Sequence, residues 1–175
     1  MALLRGINVG GRHRITMAEL ARIFTEAGAA RVETLIQSGN VVFEAAPRAV
    51  PELVEAAAAG LRQRLGTEIP VVVRSVAELA AVTRKNPFLL RGEDPERLHV
   101  AFLREKPAPA AVAALDPGRS KPDAFVVQGR EIYLCLPHGV ARTRLTNDWF
   151  DRSLDTKSTL RNWRTTLSLL ELASR

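Results

Sequence analysis

Three short stretches set polar side chains into otherwise apolar sequence. In the first, Leu3-Leu4-Arg5-Gly6-Ile7-Asn8-Val9-Gly10-Gly11, Arg5 and Asn8 interrupt an apolar run that ends in two adjacent glycines, Gly10 and Gly11. A guanidinium, a carboxamide and bare backbone N–H groups suit an anion: arginine meets phosphate or carboxylate oxygens in bidentate fashion, and glycine lets a ligand approach the main chain. The same glycines also serve a tight strand-to-helix connection. In the second stretch, Gln37-Ser38-Gly39-Asn40, the side chains of Ser38 and Asn40 either orient a ligand or close a turn on their own backbone. The third, Thr159-Leu160-Arg161-Asn162-Trp163-Arg164-Thr165, places Arg161 and Thr165 four residues apart, on one solvated face of an expected helix. Asn162 fits that helix poorly, because asparagine prefers local backbone bonding near helix starts.

Other chemistry is weakly represented. Gly6 to Gly11 followed by Arg12-His13 approaches a P-loop, but lysine and Ser/Thr are required where Arg12 and His13 stand. The reading retained is a less specific anion loop, with Arg5, Arg12 or Arg14 nearby. His13, His99 and His138 show no metal-binding spacing, so no metal site is expected and no cofactor is assigned. The single cysteine, Cys135, lies in Ile132-Tyr133-Leu134-Cys135-Leu136 and reads as a buried small hydrophobe; pairing with His138 as nucleophile and base needs the chain to fold back at Pro137. The net charge of +6 permits a polyanionic partner, but the excess is divided equally, +3 on residues 1–85 and +3 on residues 86–175. No apolar run approaches the roughly 20 residues of a membrane span, and Arg5 breaks the N-terminal apolar stretch, so the expected location is the cytoplasm.

The elements that must position these residues are legible in turn. A strand is expected over Ala2 to Asn8. Thr16 and Glu19 form a T-x-x-E capping box for a helix whose stripe is Met17, Leu20, Phe24 and Ala27. Strands at 32–37 and 40–44 turn at Ser38-Gly39, a helix follows Pro51 with Leu53, Ala57, Leu61 and Leu65, and a strand lies near Ile69 to Arg74. This is the β-α-β-β-α-β order of a ferredoxin-like unit. After a linking helix from Ser75 to Lys85, the pattern returns: a strand at 98–103, a short helix at 108–115, and a hairpin of 124–128 and 131–136 turning at Gly129-Arg130. A helix at 146–154 and a last one at about 159–173 complete the chain, with a fourth strand near Lys157 to Leu160 left open. The expected fold is therefore α+β, two tandem ferredoxin-like subdomains over 1–85 and 86–175, the second with an extra C-terminal helical segment. In such a unit the Ser38-Gly39 turn is expected at the opposite end of the sheet from the first loop.

The first and third stretches, together with Met17-Ala18-Glu19-Leu20, Gln37-Ser38-Gly39-Asn40-Val41-Val42-Phe43 and Asn86-Pro87-Phe88, resemble the bacterial domain-of-unknown-function family 1697 (DUF1697). The resemblance spans nearly the whole chain. It implies a two-part α/β fold of repeated ferredoxin-like subdomains and brings no activity or established binding set. Arg12-His13 departs from the lysine and asparagine that the family often shows after the double glycine.

The functional expectation is a non-catalytic binder of an anionic ligand, a phosphate-bearing metabolite or nucleic acid, lodged between the two subdomains. Arg5, Asn8, Gly10, Gly11, Ser38, Asn40, Arg161, Asn162 and Thr165 are its candidate residues. The alternative is an enzyme acting on a phosphorylated or carboxylated small metabolite, which lacks an obvious acid, base or nucleophile. A third reading makes every motif structural, and residue-by-residue hydrogen bonding separates these.

Overall fold

A computed structural model describes residues 1–11 and 13–175. It is a mixed α/β fold with two four-stranded antiparallel sheets and, among the described residues, six α-helices. The chain separates into two compact units, Met1–Val76 with Glu171–Arg175, and Ala77–Leu170.

The first unit runs β1 (Ala2–Leu4), α1 (Met17–Glu26), β2 (Ala30–Leu35), β3 (Asn40–Glu44), α2 (Val50–Leu65) and β4 (Val71–Val73), with sheet order β2-β3-β1-β4. Strand β1 is shorter than expected, because Gly6 takes φ +77° and Asn8 φ +54°, conformations outside the extended range. Thr16 and Glu19 form the capping box, and α1 buries Leu20, Ile23 and Phe24. Burying each such side chain contributes roughly 1.5–3 kcal/mol. Helix α2 enters on Pro51, buries Leu53, Ala57 and Leu61, and stops at Gly66 in the left-handed region. Both helices close on Ala2, Leu4, Val41 and Val71 of the sheet, where Phe24 and Phe43 meet at 5.7 Å between ring centroids. Outer strand β2 carries one extra residue between Ala30 and Glu33, a bulge that leaves Arg31 at φ +45° and paired with Glu44 at 3.1 Å.

The linking helix α3 (Val76–Arg84) leads to β5 (Leu98–Leu103), α4 (Pro109–Ala113), β6 (Ala124–Gln128), β7 (Glu131–Cys135), α5 (Asn147–Leu154), β8 (Ser158–Asn162) and α6 (Trp163–Ala173). The second sheet has the order β6-β7-β5-β8, and its central strand β5 is buried at every position. The hairpin turns at Gly129-Arg130 as read from sequence. Phe125 meets Trp149 and Phe150 edge-on, and the Arg119 guanidinium covers the Trp149 ring at 4.7 Å. Buried Asp151 accepts the Ser158 N–H at 2.8 Å and hydroxyl at 2.7 Å, fixing α5 to the start of β8.

Strand β8 corrects the expected last helix. Residues 158–162 pair with β5, with Val100 opposite Arg161 and His99 opposite Asn162, so the helix begins only at Trp163. Arg161 and Thr165 therefore share no solvated helix face: both are buried, one in a strand and one in a helix. No helix among the described residues is long and apolar enough to cross a membrane.

Candidate functional site

The loop after β1 meets the turn after β2. Since β1 and β2 are each antiparallel to β3, they run parallel to one another, and both finish at the same end of the sheet. This corrects the expectation that the loop and the turn lie at opposite ends. The junction is made by backbone and by one side chain: the Leu4 N–H donates to the Gly39 carbonyl at 2.7 Å, and Asn8 Nδ2 donates to the Gln37 carbonyl at 3.1 Å. The turn is four residues long, 36–39, rather than two.

Asn8 does more than bridge. Its Nδ2 also donates to the Ile15 carbonyl at 2.9 Å, while its Oδ1 accepts the Ile15 N–H at 3.0 Å. Asn8 thus satisfies both backbone polar groups of a buried residue and fastens the start of α1 to the loop. A loop backbone bond, Asn8 N–H to the His13 carbonyl at 3.2 Å, and a contact of His13 Nδ1 with the Gly6 carbonyl at 2.9 Å close the ring of residues from within. Gly10 and Gly11 lie exposed at φ +58° and +76°. Arg5 donates its N–H to the Pro70 carbonyl at 3.0 Å. Arg12 lies outside the described residues.

Ser38 and Asn40 behave as turn residues. Asn40 is fully buried and donates Nδ2 to the Leu35 carbonyl and the Ser38 hydroxyl, each at 3.0 Å. The third stretch belongs to the second unit and is also internally bonded. Arg161 donates Nη1 to the Thr159 hydroxyl and the Leu160 carbonyl, both at 2.8 Å, and burial lowers its pKa to about 10. Asn162 Oδ1 accepts the Thr165 N–H at 2.7 Å and caps α6. Apart from Arg5, the sequence-derived residues fall into two groups, Asn8, Gly10, Gly11, Ser38 and Asn40 around one junction in the first unit, and Arg161, Asn162 and Thr165 at the β8–α6 corner of the second.

Beside the first group is a hollow of about 610 Å³, lined by Asn8, Gly11, Arg14, Ile15, Thr16, Met17, Glu19, Gln37 and Arg64. Of these, Arg64 had no signal in the sequence as a site residue; it arrives from the end of α2 because that helix packs beside α1. Its Nε donates to Glu19 Oε1 at 2.9 Å. The other carboxylate oxygen of Glu19 accepts from the Thr16 N–H at 3.0 Å and the Thr16 hydroxyl at 2.9 Å. The backbone N–H of Thr16, then Arg64, then the Thr16 hydroxyl hold the Glu19 carboxyl down from 4.5 to about 2. Arg14 forms no ion pair among the described residues, and a side chain at Gly11 would stand 3.8 Å from its Nη2. The hollow therefore keeps one uncompensated positive charge next to exposed glycine backbone.

The Glu19 bonding sets a pH dependence. Because the folded carboxyl titrates below its unfolded value, its stabilisation is complete above about pH 4.5 and is lost as the pH falls toward 2. Urea unfolding midpoints measured across that interval should fall with acidification, and Glu19→Gln should flatten the fall.

Above the same end of the first sheet, two apolar residues stand in solvent. Val9 is 63% exposed and Ile36 is 55% exposed. Ile36 also sits at φ +50°, where a β-branched side chain costs roughly 1–2 kcal/mol relative to right-handed backbone.

Elsewhere the chemistry is muted. Burial, and after it the Glu93 carboxylate 3.8 Å from Sγ, push the Cys135 thiol up, the reverse of what a nucleophile requires. His99 is buried in β5 and lowered by that burial. No group of three or more His, Cys, Asp or Glu suited to a metal ion occurs among the described residues. A smaller hollow of about 410 Å³ in the second unit is lined by two cations and two carboxylates, Lys85, Arg130, Glu78 and Glu131, of which Arg130 and Glu78 are ion-paired. Asn86 spends its Oδ1 on the N–H of Phe88 at 3.0 Å, which gives the Asn-Pro-Phe segment a structural explanation.

A family model described as "Protein of unknown function (DUF1697)" matches residues 1–133. No curated protein matches the chain. Among solved structures, the conserved bacterial protein SP0830 from Streptococcus pneumoniae is similar at 22% identity, with a TM-score of 0.74 over 99% of this chain and 97% of that one. At that identity the likeness shows the fold.

Proposed function

The chain belongs to the DUF1697 family, which carries no assigned function, and from that premise we propose that it is a non-catalytic binder of a small phosphate-bearing anion, held in the hollow beside α1. The observation that carries this reading is the unpaired Arg14 guanidinium beside Gly11, in a hollow whose other cation, Arg64, is already matched by Glu19. A singly charged oxyanion completes the charge balance, and the exposed loop backbone leaves room for its approach.

Binding is favoured over catalysis by the state of Glu19. It is the sole carboxylate among the lining residues, and a carboxyl held to about 2 and engaged with Thr16 and Arg64 makes a poor general base near neutral pH. Arg5, Ser38, Asn40, Arg161, Asn162 and Thr165 are left out of the ligand set. The bonded roles of Ser38, Asn40, Arg161 and Asn162 support a structural assignment for those four. We read each half as ferredoxin-like on the strength of the two matching strand orders.

The test is an amide-resolved NMR titration with inorganic phosphate at low ionic strength. Saturable shifts are expected at Gly10, Gly11 and Thr16, and Arg14→Ala should weaken binding by about fivefold or more, the scale of one exposed charge-assisted contact. Shifts scattered over unrelated surface cations without saturation, or an Arg14→Ala protein that binds like the parent, would overturn the reading.

A further inference from the structure

We propose that β6 is a docking edge for a second copy of this chain, the two β6 strands pairing antiparallel about a two-fold axis at Val126. The observation is a row of open backbone groups on β6, where every other outer strand is obstructed by the chain itself.

The ladder decides which groups of β6 face outward. The Leu103 N–H donates to the Arg130 carbonyl at 2.8 Å, and the Leu136 N–H to the Arg97 carbonyl at 2.8 Å. Along an antiparallel strand successive residues bond to opposite sides, so Ile132 and Leu134 of β7 bond toward β5, while Glu131, Tyr133 and Cys135 bond toward β6. Val126 therefore bonds to Tyr133, and the N–H and carbonyl groups of Phe125 and Val127 turn away from the sheet. Neither residue makes a backbone bond on that side among the described residues. The register of β6 on β7 is regular throughout, and its residues 124–127 are half-buried.

The other outer strands differ. Strand β2 is bulged and carries the Arg31–Glu44 pair. Strand β4 is three residues long, and the carbonyl of Val73, which faces outward, is taken by Arg74 Nη1 at 2.8 Å. In β8 the outward residues are Ser158, Leu160 and Asn162. Asp151 accepts the Ser158 N–H, Arg161 Nη1 donates to the Leu160 carbonyl, and the Thr166 hydroxyl donates to the Asn162 carbonyl at 3.0 Å. A regular open edge is what another strand adds to, and β6 alone keeps one.

The sequence of β6 suits its own copy. Ala124-Phe125-Val126-Val127-Gln128 carries no charge, so no like charges meet when the strand is laid against itself. With Val126 on the axis, Phe125 of each copy falls opposite Val127 of the other, and each such pair exchanges both N–H groups. The flanks carry opposite charge, Asp123 before the strand and Arg130 after it. Antiparallel pairing sets Asp123 of each copy toward the Arg130 end of the other, whereas parallel pairing would set like beside like. The joined sheet then ends in the two obstructed β8 strands, so the assembly stops at a dimer.

The test is sedimentation and amide hydrogen exchange of the full chain from about 10 μM to about 1 mM, a range suited to the weak affinity of so small an interface. A monomer–dimer equilibrium is expected, with the Phe125 and Val127 amides slowing as concentration rises. Val126→Lys and Val126→Glu each set like charges face to face on the axis and should weaken the dimer by about fivefold or more, and mixing the two variants should restore it as a heterodimer. A parent that stays monomeric across the range, or a dimer that leaves exchange at Phe125 and Val127 unchanged, would overturn the proposal. So would dimers of both charged variants as strong as the parent's. Slowing of those amides only with an added peptide of another sequence would assign the edge to a different occupant, against the proposal.

Discussion

Gly39→Ala is expected to destabilise the protein by about 3 kcal/mol, with the urea midpoint falling and the slope unchanged. Gly39 is buried at φ +76°, and a methyl group there would lie 2.8 Å from Leu4 Cβ and 3.0 Å from Ile7 Cγ1. Neither neighbour has room to yield. Leu4 and Ile7 are both buried in the core beneath α1 and α2, and the Leu4 N–H is held by the Gly39 carbonyl itself. Gly66 supplies the control. It has a similar φ of +70° and nothing within 4 Å of its added methyl, so Gly66→Ala should register the backbone penalty alone, about 1 kcal/mol. Equal losses at the two sites would show that the turn can move off β1, and that the junction is looser than its geometry implies.

Asn8→Ala should cost a similar amount, roughly 3 kcal/mol, for a different reason. Three hydrogen bonds disappear together, and both backbone groups of buried Ile15 lose their partner. Alanine must also accept φ +54°. Asn8→Gly removes the side chain while relieving that conformational demand, so it should be less damaging by about 1 kcal/mol. Amide hydrogen exchange at Ile15 is the local readout, since its N–H is opened to solvent in both variants. A stable Asn8→Ala protein with unchanged Ile15 protection would show that the Asn8–Ile15 bonds do not hold the loop to α1.

These two residues mark the division between what was legible in the sequence and what was not. Local signals read well. The Thr16–Glu19 capping box and the Gly129-Arg130 hairpin are both decided by residues within a few positions of one another. Strand β8 was obscured because Leu160, Trp163, Leu167 and Leu170 keep a helical spacing straight through it. Its extended form is imposed by pairing with β5, whose residues 99–103 lie far from 158–162 in sequence. The misfit of Asn162 in a helix interior was the local clue, and it acts as the cap that starts the helix one residue later.

The candidate site was half legible. Asn8, Gly10 and Gly11 drew notice as an unusual polar set, but a carboxamide looks the same in a sequence whether it faces a ligand or a neighbouring carbonyl. Only the closing of Asn8 on Ile15 and Gln37 separates those cases. Arg64 had no local mark at all. It is carried in by helix packing.

The extra residue in β2 has a consequence for crowded solutions. An outer strand with a free row of N–H and carbonyl groups is a template on which another copy can add, and a straight, apolar one invites fibrous growth. Here the bulge turns Arg31 into left-handed backbone, breaks the repeat between Ala30 and Glu33, and plants the Arg31–Glu44 ion pair along the rim. What remains regular, Glu33 to Leu35, is three residues long. A defect in the ladder thus guards the first sheet against endless extension.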